Sequence, residues 1–355
     1  MNSPVPPAMP PRLPSAGSSA AAGYANAKRA ALLAVLVLAI ALPALVNNAS
    51  QLNYAILVLM IAQAGVAWNI LGGYAGQVSL GHAAFYGIGA YTSTQLLLVW
   101  GVSPWLGMLA GGVVATAFAL AVGWPCFRLR GHYFAMATIA VAEILQILVT
   151  NWDWLGGAVG LSLPVAEAGW WGFVFNQSKV PYYYIILALL LVTLGISLLI
   201  ERSYLGYYFR AIKDEPDAAR SLGIDLTRYK LVAIATSSFL TAMGGTFYAQ
   251  KELFIDPGST LATSLSIKIA LVAILGGVGN LGGPVVGAII LTAIEETTRA
   301  LFGGTGRGTD LIVYALLIIG VAVFYPGGVT GWWRDLERHR FGRRAAGSVV
   351  ETDTP

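Results

Sequence analysis

Residues 201–230 read ERSYLGYYFRAIKDEPDAARSLGIDLTRYK, the longest charged interval between two strongly apolar regions of the chain. If its flanks cross a bilayer, this interval lies in water, because charged side chains are costly in hydrocarbon. Its chemistry predicts a short capped helix at about 215–222. Asp214 is the expected N-cap, Glu215 and Pro216 occupy the first turn, Asp217 stands three residues after the cap, and Gly223 falls at the C′ position. A helix of about two turns does not persist alone in water, where roughly 12–15 residues are needed even for marginal stability. A partner surface is therefore expected.

The flanks are apolar enough. Of 355 residues, 57% are hydrophobic and only 11% charged, about half the charged share of a soluble domain. Apolar runs recur at about 30–46, 54–71, 82–99, 105–127, 132–150, 182–201, 230–250, 263–280, 284–301 and 310–326, each near the roughly 20 residues that span a hydrocarbon core. The expected fold is an all-α polytopic membrane protein with about ten transmembrane helices. Residues 1–29 read as a disordered Pro/Ala/Ser-rich tail ending in Lys28 and Arg29, 30–326 as the membrane domain, and 327–355 as a basic tail. The run after Arg29 is long for a signal peptide and lacks a good cleavage site, which favours a retained first span.

Charge sets the expected orientation. With the N-terminus inside, the cytoplasmic segments collect Lys28, Arg29, Arg128, Arg130, the basic residues of 202–230, and Arg334, Arg338, Arg340, Arg343 and Arg344. The other side holds little beyond Lys179, Lys251 and Arg307. This asymmetry follows the positive-inside rule and puts both termini and the 202–230 stretch in the cytoplasm. The net charge of +4 is thus a topology signal and does not point to nucleic acid. Residues 151–181, with Trp152, Trp154, Trp170 and Trp171 among glycines, read as an external interfacial loop.

Two glycine-rich stretches interrupt the spans. Residues 70–82, ILGGYAGQVSLGH, and 274–284, ILGGVGNLGGP, both open on Ile-Leu-Gly-Gly. Glycine permits non-helical backbone, which is tolerated at membrane depth only where protein or a cavity covers it. Both stretches read as broken or re-entrant elements. Gln77, Ser79 and His82 of the first, Asn280 of the second and the intramembrane Glu143 are the candidate lining of a solute path. The alternative for the polar groups of the first stretch is hydrogen bonding between neighbouring helices. Other ionisable residues in the spans are Lys268, Glu295, Glu296 and Arg299. Glu295 and Arg299 stand four apart, as an intrahelical pair requires, and Glu143 and Lys268 are candidates to meet across helices.

The chain has no P-loop, metal-ligand cluster or nucleophile elbow, and its single cysteine, Cys126, cannot form an internal disulfide. It reads as a transporter that is not an enzyme, binds no cofactor and draws its energy from an ion gradient or another subunit. Asp217–Gly223, DAARSLG, resembles the EAA loop of ATP-binding-cassette importer permeases, with Asp for the leading Glu. Residues 72–83 (GGYAGQVSLGHA), 129–135 (LRGHYFA), 210–212 (RAI), 222–224 (LGI), 275–277 (LGG) and 283–284 (GP) look like blocks of the branched-chain amino-acid permeases, closest to the larger of the two permease subunits.

That resemblance implies a bacterial inner-membrane permease working with a second permease subunit, two ATPase subunits that use ATP and magnesium, and a periplasmic substrate-binding protein. It implies an ATPase-coupling surface comprising Arg210, Lys213, Asp217, Ala218, Ala219, Leu222 and Gly223, with Ala218, Ala219 and Leu222 as its apolar face. Arg220 joins Arg210 and Lys213 as a basic group available to acidic partners. Lys268 departs from the family's expected pattern. The alternatives are a permease of this type for urea, amides or aromatic acids, a gradient-driven secondary transporter using Glu143, Lys268 and Glu295, and a scaffold without transport.

Overall fold

The computed structural model describes Ala30, residues 34–46, 48–129, 131–164, 169–175 and 178–302, and isolated positions between 312 and 320. The expected span at 310–326 and both expected tails lie outside the described residues, apart from those isolated positions. The first helix, α1 (Ala34–Leu45), is apolar and short. From residue 50 onward the chain forms a separate unit. Its helices are α2 (Ala49–Asn69), continued by a π-helical turn (Ile70–Tyr74), α3 (His82–Trp100), α4 (Pro104–Cys126), α5 (His132–Thr150), α6 (Val180–Arg202), α7 (Tyr204–Asp214), α8 (Pro216–Ser221), α9 (Leu226–Glu252), α10 (Pro257–Thr260), α11 (Thr263–Gly276) and α12 (Gly283–Phe302).

Six segments are long and apolar enough to cross a membrane: Ala49–Tyr74, Pro104–Cys126, His132–Thr150, Val180–Arg202, Leu226–Glu252 and Pro257–Gly276. Helices α3 and α12 match them in length, at 19 and 20 residues. Large apolar side chains such as Leu109 and Val113 on α4, and Met136, Ile144 and Ile147 on α5, point outward. Contact with lipid or another membrane chain accounts for such a surface; contact with water does not.

The bundle is built on α3, held between α4 and α9 by small residues. A β-carbon added at Gly245 of α9 would lie 1.9 Å from the Tyr86 carbonyl oxygen, and one at Gly89 of α3 would lie 2.0 Å from that of Ala242. Backbones this close pack without side chains between them, the favoured solution where lipid removes the hydrophobic drive for helix association. Thr246 uses the proximity to donate to the Gly89 carbonyl at 3.0 Å. A second packing unit joins α2 to the α11–α12 hairpin around Ile61, Val66, Val272, Leu275, Ala288 and Leu291.

At one end of the bundle the Trp-rich segment forms a cap. Its two-residue strand β1 (Leu161–Ser162) pairs antiparallel with β2 (Phe254–Ile255), a small sheet that an all-helical expectation omits. Phe173 is fully buried and packs near Trp105, Phe175, Tyr182 and Phe247. Trp105 and Ser103 donate to the carbonyls of Trp170 and Trp171, both at 2.7 Å. The four loop tryptophans keep most of their indole surface exposed. The opposite end carries the π-turn, α7, α8 and the loop between α11 and α12.

If close approach at Gly245 holds α3 to α9, Gly245→Ala should lower stability by about 1–3 kcal/mol, read as a lower Tm in detergent. Gly195→Ala on α6, where an added β-carbon meets nothing within 4 Å, should leave Tm unchanged or slightly raised.

Candidate functional site

The 201–230 stretch folds as two helices. Helix α7 buries Gly206, Phe209 and Ile212 at three-residue spacing, and its other faces are exposed or half-buried. Helix α8 begins one residue later than the capping pattern predicts. Asp214 is the last residue of α7, and Glu215 is the N-cap, extended at φ −151°, ψ 93° and without a side-chain capping bond. Pro216 is the reason: it disfavours helical backbone in the residue before it, so the break falls at Glu215. The C-terminus follows the expectation. Gly223 has φ +86°, its N–H donates to the Arg220 carbonyl at 2.9 Å, and Ile224 N–H donates to that of Ala219 at 3.1 Å, a complete Schellman closure. Asp225 then caps α9 by accepting from Arg228 N–H at 3.1 Å.

The expected apolar docking face is divided. Ala219 is buried against Ile212 and Leu226 of its own chain, so it anchors α8. Ala218 and Leu222 are exposed, Leu222 at 83%. The basic groups divide as well. Arg210 pairs with Glu201 at 2.9 Å, and exposed Arg220 lies 3.9 Å from Asp217. Lys213 points back into its own chain, where its ammonium donates to the Gly73 carbonyl at 2.9 Å.

The glycine stretches meet below α7. Asn69, fully buried, clasps the α11–α12 loop with both ends of its amide: its Oδ1 accepts from Gly279 N–H at 2.9 Å and its Nδ2 donates to the Asn280 carbonyl at 3.1 Å. An added β-carbon at Gly73 would lie 1.9 Å from Asn69 Oδ1 and 2.7 Å from Gly279 N, so no side chain fits between the two stretches. The π-turn and the following non-helical residues 75–81 are tied to the bundle through side-chain partners. Trp68 Nε1 donates to the Ser79 carbonyl at 2.6 Å, Leu80 N–H donates to Thr138 Oγ1 at 3.0 Å, and Ala83 N–H donates to Ser266 Oγ at 2.8 Å.

His82 completes this network. Its Nε2 lies 2.8 Å from Ser237 Oγ, and Ser237 spends its own proton on the Ala67 carbonyl at 2.7 Å. Nε2 therefore carries the imidazole proton, and Nδ1 accepts from Ser79 Oγ at 3.2 Å. Ser79 and His82 are thus occupied in joining helices. Gln77, half-buried, donates to the Ala75 carbonyl at 3.2 Å. Glu143 shares none of these bonds and accepts from Thr263 Oγ1 at the start of α11. The expected meeting of Glu143 with Lys268 does not occur: Lys268 pairs with Glu295 across the α11–α12 hairpin at 2.5 Å. The side chain of Arg299 lies outside the described residues. Among the described residues, no group of three or more His, Cys, Asp or Glu could hold a metal.

Asn69, Ser237 and Gln63 are the side chains that charge-based reading passes over. Gln63, buried on α2, donates to Thr193 Oγ1 at 3.2 Å and to the Leu240 carbonyl at 2.9 Å, joining α2 to α6 and α9. Neutral polar residues in apolar runs were the available signal, since such groups must find partners once buried.

If Asn69 holds the two stretches together, Asn69→Leu should cost about 1–3 kcal/mol by orphaning Gly279 N–H and the Asn280 carbonyl. Gln77→Leu should stay within about 0.5 kcal/mol of the native chain. Thermal unfolding in detergent compares the two.

The family described as "branched-chain amino acid transport system / permease component" matches residues 50–321. The chain is 30% identical over 311 residues to the high-affinity branched-chain amino acid transport system permease protein LivM of Salmonella typhimurium, covering 81% of this chain and 70% of that one. The same figures hold for LivM of Escherichia coli. It is 26% identical over 283 residues to the permease BraD of Pseudomonas aeruginosa, covering 75% of this chain and 90% of that one. No solved structure matches.

Proposed function

The chain belongs to the family of branched-chain amino acid transport system permease components, and from that premise we propose that it is one permease subunit of an ATP-driven importer carrying branched-chain amino acids across the bacterial inner membrane. A second permease subunit completes the pore, two ATPase subunits consume ATP and magnesium, and a periplasmic binding protein delivers the solute. The charge distribution supports an arrangement of about ten spans, with α7, α8 and both termini on the cytoplasmic side.

The observation that carries this reading is α8. Six residues make too short a helix to persist unaided, yet this one is closed by a full Schellman turn and fastened from below by Ala219. Its outer surface presents Ala218 and Leu222, and Leu222 is 83% exposed. A large aliphatic side chain at the C-cap of a built helix, exposed to solvent, suits insertion into a groove on another protein. The gradient-driven alternative has less support, because Lys268 and Glu295 are engaged with each other and Glu143 is engaged with Thr263.

Leu222→Glu should leave membrane insertion intact and lower ATP-dependent uptake about tenfold or more, since tenfold corresponds to only about 1.4 kcal/mol of docking energy. Native uptake in that variant would overturn the proposal. Reporter fusions at Glu215 and Val165 should signal from the cytoplasm and the exterior respectively, and the same side for both would exclude the orientation.

A further inference from the structure

We propose that Lys213 is a positioning residue that ties the α8 surface to the glycine-lined junction of the bundle, so that displacement of α8 is delivered to the π-turn and to the α11–α12 loop. The proposal rests on the reading of α8 as the ATPase contact.

Four observations place Lys213 in that role. It is the penultimate residue of α7, and a single extended residue, Glu215, separates α7 from α8. The hinge is short, and Ala219 holds α8 to Ile212, the neighbour of Lys213. The two helices therefore have little freedom to move independently. The Lys213 stem lies on Gly76, where an added β-carbon would come within 3.0 Å of Cγ and 3.1 Å of Cβ, so its path depends on the missing side chain. Its ammonium donates to the carbonyl of Gly73, in the last turn of the α2 π-extension. Helix C-terminal carbonyls lack intrahelical partners and favour a cation.

The same ammonium reaches the second stretch. An added β-carbon at Gly279 would lie 3.2 Å from Lys213 Nζ and 3.1 Å from the Gly73 oxygen, and Gly279 N–H is the group that Asn69 holds. Lys213, Gly73, Asn69 and Gly279 thus form a continuous contact from α7 through the end of α2 to the loop joining α11 and α12. A β-carbon added at Gly76 or Gly279 would press on the lysine itself, so the side chain runs in a track that glycine keeps open.

The test uses the full complex, copurified with its native partner subunits and reconstituted in liposomes, and measures uptake and ATP hydrolysis on the same vesicles. Lys213→Met keeps the stem but removes the donor. It should lower solute moved per ATP hydrolysed by about fivefold or more, the lower end of ordinary coupling between sites, while Lys213→Arg retains most of the native ratio. A purely structural lysine would change Tm and leave the ratio alone, so a native ratio in Lys213→Met overturns the proposal. An independent measurement needs no change at Lys213. In a Cys126→Ser background, ATP should alter the thiol-labelling rate of Val278→Cys, on the exposed tip of the α11–α12 loop, by about threefold or more. An unchanged rate overturns the proposal whatever Lys213→Met does. Leu222→Glu separates the two ideas. If it takes up solute normally, the α8 reading fails and takes this one with it; if it fails as expected while Lys213→Met stays coupled, only the role of Lys213 is lost.

Discussion

A helix that ends against other elements of its own protein must find partners for the backbone groups that its next turn would have satisfied, and this constraint organises the structure. The α2 helix does so at the π-turn Ile70–Tyr74. Side chains from four other elements supply the missing partners. Lys213 of α7 takes the Gly73 carbonyl, Thr138 of α5 and Ser266 of α11 receive the N–H groups of Leu80 and Ala83, and Ser237 of α9 receives the His82 ring. Leaving any such group unpaired costs about 1–3 kcal/mol in a protein interior. The break is therefore also the point at which most of the bundle is tied together.

The glycines serve the same end by a different route. At the α3–α9 crossing they let two backbones approach until an added β-carbon would collide with a carbonyl, and at the Gly73–Gly279 contact they let two chain breaks lie against each other under Asn69. Both uses remove side chains where the backbone must be close. The result is a bundle with one end capped by aromatic packing around Phe173 and the other left with an irregular, hydrogen-bonded junction. Beside that junction sit the two short helices α7 and α8.

Much of this was legible in the chain itself, for a physical reason in each case. The apolar runs are dictated by bilayer thickness, and six of them appear as helices of spanning character. The end of α8 was legible at Gly223 because φ +86° is strained for other residues. Its start was misread by one residue, since the capping chemistry of Asp214 competes with the steric rule of Pro216 and the steric rule prevails. The hydrogen-bonding alternative for Ser79 and His82 describes the structure, whereas Asn69 and Ser237 drew no attention because single neutral polar residues in an apolar run do not announce which helix they will face.

Sequence alone thus determined what depends on local chemistry: a membrane-spanning helical chain, the charged interval at 201–230, the two glycine-rich interruptions, and the family to which their motifs are similar. Tertiary structure decided the pairings. Lys268 met Glu295 rather than Glu143, Ala219 turned inward while Leu222 turned out, and Lys213 reached Gly73 across 140 residues. Periodicity and capping are set within a few residues of backbone. The partner of a buried polar group is set by which helices pack together and how closely, and that closeness rests on glycines whose neighbours are distant in the chain.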